Sequence, residues 1–74
     1  MDINKRVLLL AILKKEPGES LKDVVAMLEA SRLFSFKEGK KLLKELKKEA
    51  FVDEAGLTPK GLKIAREAEE EFRL

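Results

Sequence analysis

Residues 35–50, SFKEGKKLLKELKKEA, constrain this chain more than any other stretch. Ser35 followed three residues later by Glu38 has the capping-box pattern, which sets the start of a helix at Phe36. Wound at about 100° per residue, positions 36–50 fall into three sectors. Phe36, Gly39, Leu42, Leu43, Leu46 and Ala50 make an apolar face. Lys37, Lys40, Lys41, Lys44, Lys47 and Lys48 fill a second sector about 120° wide, and Glu38, Glu45 and Glu49 form a narrow strip between the two on one side. Such a helix packs through one face and presents a purely cationic surface with another. Two readings of that surface are open. Solvated lysines are the commoner case, and a face that meets a polyanion is the sharper one.

The remaining composition limits what the helix can belong to. With 74 residues the chain is expected to form a single domain over positions 1–74, close to the smallest size that folds alone. Its 13 Leu, 3 Ile, 4 Val and 4 Phe are enough for a small core. There is no Cys and no His, so no disulfide staples the fold and the usual zinc, iron and copper ligand sets are missing. Neither a metal nor a cofactor is expected. No stretch approaches the roughly 20 apolar residues of a membrane span, and residues 7–13 are flanked by lysines rather than by a cleavage site, so a cytoplasmic protein is expected. Net charge is only +2, but residues 36–50 carry +3, from six lysines against three glutamates, while residues 51–58 carry −2 from Asp53 and Glu54.

Read from the start, Asp2 caps a first helix over residues 3–15. Its apolar positions Ile3, Val7, Leu8, Leu9, Leu10, Ile12 and Leu13 run nearly all the way round. A helix of that kind is central in its domain or uses a second face against another chain. On the second reading Leu8, Leu9 and Ile12 are the candidate homodimer contact, with the C-terminal helix alongside. Glu16-Pro17-Gly18-Glu19 breaks the helix. Ser20 with Asp23 caps a second one over residues 21–30, whose core face is Leu21, Val24, Val25 and Leu28. The other side of that helix, Lys22, Asp23, Ala26 and Glu29, reads as ordinary surface. In the connection, Leu33 and Phe34 are expected to fill the core, and Gly39 is expected where the third helix packs closely on the second. Phe51-Val52, the turn Asp53-Glu54-Ala55-Gly56 and Leu57-Thr58 make a minimal hairpin. Thr58 caps a last helix with Pro59 in its first position, over residues 59–73, with Ile64, Ala65, Ala68 and Phe72 on one face. The acidic run Glu69-Glu70-Glu71 reads as solvated surface, although it sits at the helix end where the dipole disfavours acids.

The order helix, helix, turn, lysine-rich helix, tiny hairpin, helix resembles the winged helix-turn-helix family of DNA-binding domains, as found in small prokaryotic transcriptional regulators. The residues that carry the likeness are Leu43-Lys44-Glu45-Leu46-Lys47-Lys48-Glu49-Ala50-Phe51-Val52 and Gly56-Leu57-Thr58-Pro59-Lys60-Gly61. In that family the recognition helix often ends in a Leu-x-x-Leu-x-x-x-Gly/Ala run leading into the first wing strand. The second wing strand often ends in Leu-Thr-x-x-Gly. The resemblance implies a mainly α fold with a minimal β-hairpin, in which a three-helix core is followed by a C-terminal helix. It also implies that residues 36–49 dock in the major groove of double-stranded DNA. Ser35, Lys37, Lys40, Lys41 and Lys44 would then face the DNA, Lys47 and Lys48 would touch phosphates, and Arg32 in the turn is a further phosphate contact. Two departures bear on specificity. The hairpin is shorter than a typical wing and its tip is acidic. The helix also offers only lysines where Arg, Asn or Gln would give bidentate base readout.

Catalysis is not expected. Without His, Cys, Tyr or Trp the nucleophile candidates reduce to Ser20, Ser31, Ser35, Thr58 and the lysines, and most of those hydroxyls are caps or turn residues. GLTPKG lacks the spacing of a P-loop. A DNA-binding regulator is the leading expectation. The competing one is a protein-interaction module of the same fold that does not bind nucleic acid, suggested by the acidic hairpin and the apolar excess on the first helix. RNA binding has least support, because no aromatic residue sits on the lysine face to stack bases.

Overall fold

Each helix of this chain begins on a side chain that accepts a backbone hydrogen bond. The computed structural model describes residues 2–72, with α1 over Ile3–Lys14, α2 over Leu21–Ala30, α3 over Phe36–Lys48 and α4 over Pro59–Glu71. Asp2 Oδ1 accepts from Asn4 N–H at 3.0 Å. The box at α2 is complete: Ser20 Oγ accepts from Asp23 N–H at 3.1 Å, and Asp23 Oδ2 accepts from Ser20 N–H at 2.9 Å. Thr58 Oγ1 accepts from Gly61 N–H at 3.1 Å, with Pro59 in the first turn. These oxygens satisfy donors that a helix start otherwise leaves open.

The helix ends differ slightly from expectation. Lys15 is already extended, so α1 stops at Lys14. Ala50 has φ 65°, in the left-handed region, so α3 stops at Lys48. Ala50 N–H donates to Lys47 O at 3.1 Å and Phe51 N–H to Leu46 O at 2.9 Å, the pairing of a Schellman motif. Arg32, with φ 61°, closes α2 in the same way: its N–H donates to Glu29 O at 2.8 Å and Leu33 N–H donates to Leu28 O at 3.2 Å. Both positions usually hold glycine. The last expected helical position, Arg73, lies outside the described residues.

Between α3 and α4 lies a two-stranded antiparallel sheet, β1 Val52–Asp53 and β2 Gly56–Leu57, in the register Val52↔Leu57 and Asp53↔Gly56. Asp53 Oδ1 accepts from the N–H groups of Ala55 (2.9 Å) and Gly56 (3.1 Å), which locks the turn. The molecule is thus mainly helical with a small sheet. No helix among the described residues is long and apolar enough to cross a membrane.

The core forms around α1, which packs against α2, α3, α4 and β2. Leu8 and Leu9 are completely buried and Ile12 is 4% exposed, among Val24, Val25, Leu28, Leu42, Leu46, Phe51, Val52 and Ala65. That corrects one expectation. Leu8, Leu9 and Ile12 are consumed by this chain's own core and are not a surface for a second copy. A second correction concerns the α2–α3 connection, where Leu33 is 49% exposed and only Phe34 turns inward.

Two glycines are required by close approach. A Cβ on Gly39 would lie 2.6 Å from Val25 Cγ1 and 2.8 Å from Phe34 Cε1, which is the close α2–α3 packing expected of it. A Cβ on Gly61 would lie 1.8 Å from the backbone oxygen of Phe51. There α4 passes close over the backbone between α3 and β1, and Thr58 ties the approach by donating its hydroxyl to Ala50 O at 2.7 Å. Lys60 Nζ donates to Glu49 O at 3.1 Å and lies 4.5 Å from the Phe51 ring centroid, so α4 also supplies a cation to the C-terminus of α3.

Ion pairs close the perimeter. Lys5 on α1 reaches Glu45 of α3 at 3.2 Å and Glu49, just past its end, at 2.7 Å. Arg6 pairs with Glu71 and Lys14 with Glu69, so two members of the acidic run on α4 lie against α1 and are not simply solvated. The hydrogen bond to Glu49, then that to Glu45, holds the Lys5 amine above its usual 10.5. Hydrogen bonds from Ser20, the backbone N–H foremost, hold the Asp23 carboxyl below its usual 3.8.

Gly61→Ala is expected to destabilise by about 3 kcal/mol, because the obstacle is backbone and cannot rotate away. Ala50→Gly is expected to stabilise by roughly 0.5–1 kcal/mol by relieving the left-handed strain of an L-residue. Urea unfolding of both variants checks this. The raised amine of Lys5 makes its contribution complete below 10.5 and lost as pH rises through the higher folded value. The stability gap between the native chain and Lys5→Gln should therefore be constant below about pH 10.5 and narrow as pH rises above it, measured by the same unfolding.

Candidate nucleic-acid interface

Six lysines project from α3 because its other side is committed to the core. Gly39, Leu42 and Leu46 are buried there, with Phe36 and Leu43 half-buried at the margins. The turns of the helix carry Lys37, Lys40, Lys41, Lys44, Lys47 and Lys48 outward, and all six are exposed. Among the described residues none of the six is in an ion pair. Glu45 and Glu49 turn toward Lys5 on α1. The cationic sector is therefore continuous along α3. From Lys37 to Lys48 it runs about 16 Å at 1.5 Å per residue.

Ser35, Lys37, Lys40, Lys41 and Lys44 share one shallow depression of about 500 Å³ with Glu38. Lys40, Lys44 and Lys47 border a second, of about 320 Å³, between α2 and α3. Its far wall is Lys22 of α2, and Leu43 with Val25 lies at its base. Lys22 thus joins the lysine face. It reads as ordinary surface in sequence because its membership depends on how α2 crosses α3. Its only local signal is its place three residues before Val25, the helix-two residue against Gly39. Arg32 and Lys48 are exposed but border neither depression. Lys40 Nζ lies 5.7 Å from the Phe36 ring centroid, which draws that ammonium back along the helix.

The start of α3 is built differently from the pattern in its sequence. Ser35 Oγ accepts from Glu38 N–H at 3.1 Å, but the second acceptor is a residue of the preceding helix. Glu29 Oε2 accepts from Phe36 N–H, also at 3.1 Å. A carboxylate from α2 therefore sits at the positive end of the α3 dipole. Seven residues separate Glu29 from Phe36, and no local pattern joins them.

The hairpin tip lies beyond the other end of α3. Asp53 is occupied by the turn hydrogen bonds, while Glu54 is exposed. On the opposite side of the molecule, Ile3 and Phe72 are exposed apolar residues at the ends of α1 and α4, and Arg6 lies 5.5 Å from the Phe72 ring centroid. The chemistry of the lysine face is that of fixed, flexible ammonium groups. It can neutralise closely spaced anions and offers no fork that distinguishes one base edge from another. Compared with protein-family models, with curated proteins and with solved structures, the chain matches no family model, no curated protein and no solved structure.

Proposed function

We propose that this chain is a small DNA-binding module of the winged-helix kind, acting in transcriptional regulation, with α3 as the helix that enters the major groove. The observation that carries the reading is the segregation of charge on α3: six exposed lysines without an acid partner on one side, a buried apolar face on the other. The order of α2, a short connection, α3, a hairpin and α4 supports it. Ser35, Lys37, Lys40, Lys41 and Lys44 are the groove-facing positions in this reading. Lys47, Lys48 and Arg32 are phosphate contacts, and Lys22 extends the same surface. Binding is dominated by backbone neutralisation, because lysine ammonium groups act as point charges. The protein needs no metal, no cofactor and no catalytic group for this role.

One observation favours a second reading, a protein-interaction module that leaves nucleic acid alone. The hairpin has two residues per strand, and Glu54 at its tip would repel a phosphate backbone. In that reading the partner, a second copy included, meets the α1–α4 side through Ile3 and Phe72, which are 58% and 37% exposed.

Fluorescence anisotropy against a generic duplex at several salt concentrations separates the two. With four to six lysines on phosphates, log K should fall against log salt with a slope of roughly −4 to −5. The triple change of Lys40, Lys41 and Lys44 to Glu should abolish binding even near 50 mM salt, where the Debye length is about 14 Å and screening is weak. No binding by the native chain at that salt, or an unaffected triple variant, overturns the DNA reading.

A further inference from the structure

The charge along α3 is graded, and the grading is set from outside the helix. Its first turn carries one lysine, Lys37, and two carboxylates, Glu38 of α3 itself and Glu29 delivered by α2 to Phe36 N–H. Beyond that turn the exposed face is cationic only, through Lys40, Lys41, Lys44, Lys47 and Lys48, because Glu45 and Glu49 turn to Lys5. Lys22 adds to the middle of this region, bordering the same depression as Lys40, Lys44 and Lys47.

A helix start ordinarily attracts phosphate through its free N–H groups and the positive end of its dipole. In α3 two of these donors and the dipole are already answered. Phe36 N–H donates to Glu29 and Glu38 N–H donates to Ser35. A phosphate arriving there would meet a fixed carboxylate and would have to displace it to reach the backbone.

We propose that Glu29 excludes phosphate from the first turn of α3 and so shifts a bound duplex along the helix, onto Lys40, Lys41, Lys44, Lys47 and Lys22. This rests on the DNA reading of α3 and adds where along the helix the backbone sits. Lys37, though groove-facing, is then offset by Glu29 and Glu38 and contributes less to affinity than Lys40, Lys41 or Lys44. Glu29 does not touch the ligand. It acts through the charge it places at the α3 N-terminus.

The test is a double-mutant comparison by anisotropy with one generic duplex, using the whole chain. Glu29→Gln keeps an oxygen able to accept from Phe36 N–H and removes the charge, so the chain should stay folded with an unfolding midpoint only slightly below the native one. Its affinity should rise about threefold at low salt, the effect of one unit charge roughly 7 Å away in water. Lys37→Gln should cost less affinity in the native background than in the Glu29→Gln background, where it should cost about threefold. Lys44→Gln should cost about threefold in both backgrounds. Unchanged affinity in Glu29→Gln overturns the proposal, as does a native-background loss for Lys37→Gln equal to that for Lys44→Gln. A native chain that binds no duplex removes the DNA reading and this inference together. A native chain that binds, with Glu29→Gln unaltered, removes this inference alone.

Discussion

Burying Leu8 and Leu9 completely demands neighbours on almost every side of α1, and three other helices and a strand are arranged to supply them. A side chain of this size stabilises by about 1.5–3 kcal/mol when fully removed from water. A chain of 74 residues has few such groups to spend on a core. The enclosure of α1 therefore decides the rest. It forces α2 and α3 to one side and α4 to the other, and it leaves the hairpin as the link that carries the chain between them. The tight crossing at Gly61, where Phe51 backbone replaces a side chain, is the local consequence.

Charge follows from the same enclosure. Cations on α1, at Lys5, Arg6 and Lys14, meet acids on α3 and α4 around the rim of the buried contact. As exposed pairs they add modestly to stability. Their larger effect is to take Glu45 and Glu49 away from the lysines with which they alternate in sequence. Six lysines with three glutamates would otherwise make a mixed surface. With two of those acids drawn to Lys5, the solvent side of α3 is cationic from Lys40 onward.

Local chemistry was readable before the structure, and tertiary chemistry was not. The caps at Asp2, Ser20 and Thr58, the Asp53–Gly56 turn and the fit of Gly39 between α2 and α3 follow from residues within a few positions or from helical periodicity. The starts of all four helices follow in the same way. What escaped depends on contacts between elements: Glu29 on Phe36, Lys22 beside Lys40, Glu69 and Glu71 on α1, and Phe51 against Gly61. The left-handed Arg32 and Ala50 escaped for another reason. Neither residue type favours that conformation, and each is held there by the closing hydrogen bonds of its helix. Leu33 illustrates the cost of reading hydrophobicity without geometry, since it stands half-exposed while its neighbour Phe34 packs on the core. On the candidate site, all six helix lysines were identified from the helical wheel alone. Their freedom from acid partners needed the structure.

The central claim is that α3 uses its lysine face on a nucleic-acid backbone while α1 and α4 serve only to hold it. A chemical-shift perturbation map of the chain titrated with a short generic duplex tests it most directly. The account predicts shifts concentrated in residues 40–48 and at Lys22, with the α1 and α4 amides unmoved. Perturbation confined to the α1–α4 side, around Ile3 and Phe72, or no perturbation of α3 at low salt, would contradict it.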